Sequence, residues 1–488
     1  MKLLKKSLSV LALLFVVFAM TGCTQILERM LNKGADELEE QKNNTPDPES
    51  PSITSEEDGY SFMVHYGEPI TLKIKAEVAD KGVLTYQWYS SSTDKRDDAT
   101  PITGTTEAEK LAVKTPVYAA VAPNEPEKDG IVTYYWCKVT NTSLKTGKKA
   151  ENWSDRYAIT VSNIIRMNGK YIDENTTWNP LYTYYAEGWV CIKKALVIPA
   201  GTVIKCKKGV YIETADEGTI TATGTADYPV YFTSYLDDSV GIAIPEFIGN
   251  ATKAAKGDWD GVYIDGAKGS TFTNVVFRYA NKAALTLKEE TGVNGCKFVS
   301  NKSENYRGAL DIDESANESI VTNNVFYNND WPLSCSSNYS VATSNVFHNP
   351  DDDKITNKYQ AITMYGGKYI EQKDVVDWKV AELAYLFTDS WLDVKGTLNI
   401  GANVTVKFNK DCYIDVRDTG SITLGTGCIL TSWKDDAHGG DIEANEQPVA
   451  PKSGDWAGIW IEDQDGYNNS INKDSRVLYN DKSKYQEE

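Results

Sequence analysis

Four short phrases recur through the second half of the chain, and their spacing constrains its fold more than any other feature. They are Asn274-Val275-Val276-Phe277, Gly295-Cys296-Lys297-Phe298, Asn324-Val325-Phe326 and Asn345-Val346-Phe347. The phenylalanine returns after 21, 28 and 21 residues, and the last three phrases run into Ser300-Asn301, Asn328-Asn329 and Asn349-Pro350. One short β-branched or aromatic strand and one polar turn per cycle describe a stack of coils. A propeller blade needs four strands and a longer period, and a leucine-rich repeat needs a leucine framework that is absent here. Stacked coils lie ~4.8 Å apart, the spacing of paired strands. Phe277, Phe298, Phe326 and Phe347 are therefore expected to form an inward aromatic ladder, with asparagines at equivalent turns bonding from coil to coil.

A longer repeat overlies the short one. Gly169-Lys170-Tyr171-Ile172 returns as Gly367-Lys368-Tyr369-Ile370, and Lys205, Lys208, Tyr211 and Ile212 return as Lys407, Lys410, Tyr413 and Ile414. Thr233-Ser234 returns as Thr431-Ser432, and Gly257-Asp258-Trp259-x-Gly261-Val262 as Gly454-Asp455-Trp456-x-Gly458-Ile459. So many matches in one order indicate a duplication: a first copy over 167–366 and a shorter, degenerate one over 367–488. Whether the second stacks on the first is left open by the sequence. The phrases Ile198-Pro199-Ala200-Gly201-Thr202-Val203-Ile204-Lys205, Gly218-Thr219-Ile220-Thr221 and Pro229-Val230-Tyr231-Phe232-Thr233-Ser234, with the Gly-Asp-Trp phrase, resemble bacterial right-handed parallel β-helix proteins of the pectin-lyase-like superfold. The resemblance spans roughly 167–481 and implies an all-β chain.

The start of the chain reads as an address. Lys2, Lys5 and Lys6 precede an apolar run from Val10 to Met20, which ends at Thr21-Gly22-Cys23. The run is too short to span a bilayer and fits a signal peptide, residues 1–22. Small residues before a cysteine resemble the lipobox of bacterial lipoproteins, which implies cleavage before Cys23, fatty acylation of Cys23 and a cell-envelope location. Thr24 in place of an aspartate points to the outer membrane. Residues 23–51 read as a polar, proline-rich tether.

Residues 52–162 alternate as strands do. Ile70, Leu72, Ile74 and Ala76 mark one strand; Trp88 and the Tyr135-x-Cys137 pair lie on later ones. A Trp on one strand and Tyr-x-Cys on another resemble strands C and F of immunoglobulin-like sandwiches. The partner cysteine is missing, with Ile74 at its place, so no inter-sheet disulfide is expected. The fold class is thus an Ig-like β-sandwich followed by a right-handed parallel β-helix with an internal duplication.

Composition narrows the function. Of 488 residues, 69 are Asp or Glu and 50 Lys or Arg, a net charge of −19, which argues against nucleic acid. Only His65, His348 and His438 are present, so histidine-based catalysis is disfavoured. The phrases of polygalacturonases, pectate lyases and pectin methylesterases are not found. The acidic pairs Asp237-Asp238 and Asp435-Asp436 fall in the same loop of each copy, after Thr233-Ser234 and Thr431-Ser432. They are candidates for general acid and base or for a calcium site, but solvated loop charge is the preferred reading. Gly-Asp-Trp reads as a structural turn. The cluster Tyr182, Tyr184, Tyr185 and Trp189 reads as a cap on the first coil rather than a carbohydrate platform. The cysteines beyond Cys23 read as core thiols, since Cys206 aligns with Phe408 and Cys412 with Val210. The expectation is a non-catalytic envelope lipoprotein, without cofactor or metal, held to a membrane through Cys23 and binding an unknown protein or polysaccharide by adhesion. The alternative is a divergent polysaccharide lyase or glycoside hydrolase.

Overall fold

The structure, a computed structural model, describes residues 47–481 apart from 56–60, 66–67, 105–106, 122–128, 250–251, 389–390, 443–448, 464–465 and 469. Cys23 and the signal peptide lie outside the described residues. The chain divides into two compact units, the first ending at Asn163 and the second starting at Ile164.

The first unit is built from two sheets. Ser52–Ser55, Pro69–Glu77 and Val117–Val121 pair antiparallel in one. Ser61–Val64, Tyr157–Val161, Ile131–Thr142, Val83–Ser91 and Thr100–Pro101 follow in that order in the other, and Ser61–Val64 runs parallel to its neighbour. Alternation puts Ile70, Leu72 and Ile74 against Trp88, Cys137, Val139 and Ile159. Trp88 and Cys137 are opposite residues on paired strands, and both are fully buried. Burial pushes the Cys137 thiol up to about 12, so it is an inert core group. Tyr157 ties the sheets by donating its hydroxyl to the Lys73 carbonyl at 2.6 Å. The end of the expected tether is not free chain. Asn141 and Asn152 donate side-chain amides to the carbonyls of Glu49 and Pro51, both at 2.9 Å, and satisfy that backbone.

The second unit is a parallel β-helix. Its longest sheet has eleven strands, one per coil, from Lys170–Ile172 to Ile429–Ser432. A seven-stranded sheet from Ile164–Met167 to Val325–Tyr327 and a six-stranded sheet from Thr176–Thr177 to Ile320–Thr322 complete the coils of the first copy. Inward residues stack by kind. Phe277, Phe298, Phe326 and Phe347 lie 4.8 to 5.2 Å apart and nearly parallel, and Phe232 extends the ladder by one coil. The asparagine ladders form as well. Asn301 donates to Asn329 Oδ1 at 2.9 Å, Asn329 to Asn357 at 2.9 Å, and Asn324 to Asn345 at 3.0 Å. One rung differs from expectation: Asn357, not Asn349, closes the first ladder. His348–Asn349 and Asp352–Thr356 form a hairpin inserted at that corner, which moves the equivalent turn position eight residues on.

The open question of the second copy has a definite answer: it stacks on the first, displaced by one face. Thr183–Ala186, Val203–Cys206 and Val230–Ser234 belong to the seven-stranded sheet. Their duplicates Ala384–Phe387, Thr405–Phe408 and Ile429–Ser432 lie in the eleven-stranded sheet. The first copy does not end on a whole coil. After Leu333–Ser336 the chain makes one further bridge, Val346 to Val325, on the seven-stranded face. The duplication reaches back past the expected boundary at 367 to Ala361–Tyr365, the counterpart of Ile164–Met167, so the second copy enters at the next face, beside Leu333–Ser336.

Replacing Phe298 by Ala removes the middle ring of a fully buried ladder and leaves a cavity. The expected loss is about 3–5 kcal/mol, read as a lower denaturation midpoint of the β-helix transition; an unchanged midpoint would mean that the ladder is not packed this way.

Candidate functional site

The two acidic loops turn out to be matching flaps. In each copy the chain leaves a strand through Thr-Ser, turns at Asp-Asp and folds back over the outer face of the sheet it has just left. The first flap packs Tyr235, Ile242, Ile244 and Phe247 over Ile164 and Tyr185. The second packs Trp433 and Ile442 over Ala361, Ala384 and Leu386. Gly241 and Gly439 mark the closest approach. A Cβ at Gly241 would lie 2.8 Å from Thr183 Oγ1, and one at Gly439 2.9 Å from Ala384 Cβ.

The flaps bury one carboxylate of each pair and expose the other. Asp237 and Asp435 are 4% and 2% exposed, whereas Asp238 and Asp436 are exposed. The expectation of solvated loop charge therefore fails for Asp237 and Asp435, because both serve as the hydrogen-bonding hub of their flap. Asp237 accepts from Thr233 Oγ1 at 2.5 Å and Ser239 Oγ at 2.7 Å, and pairs with Arg278 at 2.5 Å. Burial alone would raise its carboxyl, but these hydrogen bonds and the Arg278 guanidinium outweigh it and hold the group below the ordinary range. Asp435 accepts from Thr431 Oγ1 at 2.6 Å and is bonded to His438 Nδ1 at 2.7 Å. Among the described residues no three acids, histidines or cysteines come together as metal ligands. Arg278 beside Asp237 also opposes a cation there.

Each flap covers a buried lysine of the preceding coil. Lys407 donates to the Gly440 carbonyl. Lys205 is fully buried, and its amine has no hydrogen-bond partner among the described residues. Burial lowers its pKa against the attraction of Asp238 and Asp237. Gly-Asp-Trp completes the frame. Asp258 and Asp455 accept from Ser234 and Ser432 at 2.6 and 3.0 Å, and the Trp259 and Trp456 indoles donate to the Arg278 and Leu478 carbonyls at 2.8 and 2.7 Å. Gly261 and Gly458 have φ of 107° and 101°, and a Cβ at Gly261 would meet the Ala283 carbonyl at 2.0 Å. The motif is structural.

Three buried carboxylates went unseen in the sequence, one alone and two as neighbours. Asp311, on the outer side of the eleven-stranded sheet, accepts from Ser334 Oγ at 2.6 Å and Tyr365 OH at 2.7 Å and faces Arg307 at 3.2 Å. Burial raises its carboxyl above the usual value, against those bonds. Asp393 and Asp415 are register neighbours on parallel strands and share Arg417, at 3.5 and 2.6 Å. Both are buried, each has one oxygen without a hydrogen-bond partner, and burial raises Asp393. The signal was present: each carboxylate follows an aligned aromatic by two residues, Trp391 and Tyr413, one coil apart.

The remaining expected groups pack within the protein or at its surface, each with partners of its own. Tyr184 and Tyr185 are buried, with Tyr184 stacked on Trp178 at 4.1 Å, and Trp189 packs edge-on against Tyr171 at 4.8 Å. The seven cysteines from Cys137 to Cys428 are buried and form no disulfide among the described residues. His65 meets the Ser162 carbonyl at 2.9 Å, and His348 meets Glu382 at 2.6 Å.

An open cleft of about 670 Å³ lies beside the second flap, lined by Trp433, Ile442, Tyr306, Trp331 and Tyr359 with Lys302 and Lys358. Several aromatic rings line a wall that the flap itself helps to build.

No family model matches the sequence, and no curated protein does. Among solved structures the chain is similar to pectate lyase PelI from Erwinia chrysanthemi in complex with tetragalacturonic acid. Identity is 11%, over 85% of this chain and 89% of that one, with a TM-score of 0.13. It is also similar to pectate lyase Pel3 from Pectobacterium carotovorum, at 9% identity over 79% and 90% of the two chains, again with a TM-score of 0.13. At these values the fold rests on the strand pairing above and not on the neighbours.

Asp237 gives a test with a definite sign. Its depressed carboxyl contributes stability above the ordinary carboxylate value of about 3.9, and that contribution is lost as pH falls through the lowered folded value. Asp237→Asn should cost about 3 kcal/mol at pH 7 by leaving Arg278 without its partner. Melting curves of both proteins should converge as the pH is taken below about 3.9; a gap that stays constant would contradict the assignment.

Proposed function

We propose that this protein is a non-catalytic, lipid-anchored component of a bacterial cell envelope. It presents an Ig-like module and a β-helix for adhesion, that is, for binding a protein or a glycan. What supports the non-catalytic reading is how the carboxylates are used. Asp237 and Asp435 each take at least two hydrogen bonds or ion pairs from within their own flap and the strand before it, and Asp311 takes two from the next two coils. A general acid or base needs a free lone pair or proton directed at substrate. The cleft open to solvent is lined by aromatic rings and lysines, and its one described carboxylate, Asp330, is paired with Lys256 at 3.3 Å. Lipidation at Cys23 is the anchor, and the outer membrane is the proposed location. Among the described residues no helix is long and apolar enough to cross a membrane.

One observation favours a second reading. Asp393, whose carboxyl burial raises, is the register neighbour of Asp415, which is paired to Arg417, and two adjacent carboxylates are the residue types that glycoside hydrolysis uses. That pair would carry a glycoside hydrolase or lyase activity if substrate reached it; at 4% and 0% exposure both groups lie beneath the surface.

A polysaccharide panel assayed for reducing ends and for unsaturated products, with and without calcium, separates the readings. No turnover is expected. Turnover abolished by Asp393→Asn, or by changing Asp237 and Asp238, would overturn the non-catalytic reading. In cells, Cys23→Ser should abolish fatty-acid labelling, and labelling that persists would refute the anchor.

A further inference from the structure

We propose that the cleft beside the second flap binds an acidic glycan, a sugar chain bearing carboxylate or sulfate groups. The inference deepens the binding function proposed above and rests on it.

The cleft owes its existence to the one-face offset of the second copy. Tyr306, Trp331 and Tyr359 come from the turns that lead into three consecutive strands of the eleven-stranded sheet, Leu310–Ile312, Leu333–Ser336 and Ala361–Tyr365. Trp433 and Ile442 come from the second flap, which lies over the next strands of the same sheet. Had the copies stacked in phase, flap and turns would lie on different faces.

The rings form a graded wall. Trp331 is 5% exposed and forms the floor, stacked on Tyr359 at 4.3 Å and 16°. Tyr306 meets Trp331 edge-on at 5.4 Å and is 38% exposed. Tyr306 is held there by unusual backbone: Asn305 and Tyr306 are consecutive non-glycine residues at φ of 53° and 63°. Two left-handed residues in a row are costly, and such cost is tolerated where a side chain must be displayed. In the same loop the Ser303 hydroxyl is buried without a partner at the edge of the cleft.

The charge is opposite to that of the whole chain. Lys358 lies over the Tyr359 ring at 4.6 Å and makes no ion pair among the described residues. Lys302 has only Glu304, at 3.7 Å between two half-exposed side chains. Asp330, the acid of the cleft, is paired with Lys256 at 3.3 Å. Among its described lining residues the cleft thus carries two lysines against one acid that is itself paired, on a protein of net charge −19. Aromatic ring faces suit the apolar face of a pyranose ring, the Asn305 amide suits its hydroxyls, and the two lysines suit an acidic substituent. A nucleic acid would need a long basic track, which the acidic surroundings deny.

The test is calorimetric titration of the full chain with uronic-acid oligosaccharides and sulfated oligosaccharides, each beside its carboxyl-reduced or desulfated form. The acidic forms should bind at least about tenfold more tightly than their neutral counterparts, and the preference should shrink with added salt. Lys358→Ala and Lys302→Ala should each weaken the acidic ligands by about 5- to 10-fold and leave the neutral ones unchanged. Tyr306→Ala should weaken both, while Tyr235→Ala in the first flap should weaken neither. The exposed positions keep the variants folded, which unchanged melting curves confirm. Equal affinity for charged and neutral forms, no binding at all, or binding only of an acidic peptide would each overturn the proposal. Binding that the cleft variants do not alter would overturn this site and leave the wider binding function standing. Turnover of a bound polysaccharide, with binding still lost in Tyr306→Ala, would retain the site and overturn the non-catalytic reading.

Discussion

In a parallel stack, a coil has its backbone satisfied only when the coils on both sides are in place. Its strands donate to one neighbour and accept from the other, and no turn within the coil can substitute. Everything else in the β-helix follows from that ladder. With one strand per face and ~4.8 Å per coil, like residues are brought into register. That is why Phe277, Phe298, Phe326 and Phe347 stack face to face and why Asn301, Asn329 and Asn357 pass hydrogen bonds along a corner. The corners tolerate insertions because the ladder does not depend on them, as the hairpin between His348 and Thr356 illustrates.

The ladder also explains how a duplicated sequence gave a single body. The second copy adds its strands to the growing edge of the eleven-stranded sheet. Its phase is set by where the first copy stops, not by homology. Homologous strands on different faces put the two flaps over different sheets. Only the second flap then has the turns of earlier coils beside it on the same face. Duplication thus produced two similar flaps in unlike surroundings. Asp237 is paired with Arg278, whereas Asp435 is bonded to His438, because Leu478 occupies the place of Arg278.

What the sequence disclosed was whatever the period repeats. The inward phenylalanines, the Gly-Asp-Trp turn and the exchange of Cys206 for Phe408 all report the coil interior, where one environment recurs and selects one residue type. The strand alternation of Ile70, Leu72 and Ile74 did the same for the first unit. The outer face has no such period. Asp237 and Asp435 read as loop charge because nothing local reveals that the chain turns back over Lys205 and Lys407. Asp393 and Asp415 are one coil apart and meet only when the register is known. The offset depended on Val346, a single bridging residue with no strand signature of its own. The aromatic cleft, assembled from four separate turns, was legible only as tyrosines and tryptophans scattered between position 306 and position 433.

The central claim is the continuity of the two copies in one sheet, since the flap environment and the cleft both derive from it. Ser334 and Thr363 are register neighbours at the junction, and Tyr263 and Thr286 are the equivalent neighbours inside the first copy. Cysteine pairs at these positions, oxidised and mapped by peptide mass, measure the continuity directly. Crosslinking of Ser334→Cys with Thr363→Cys to the same extent as of Tyr263→Cys with Thr286→Cys is the expected result. Crosslinking of the internal pair alone, with the junction thiols left free, would contradict it.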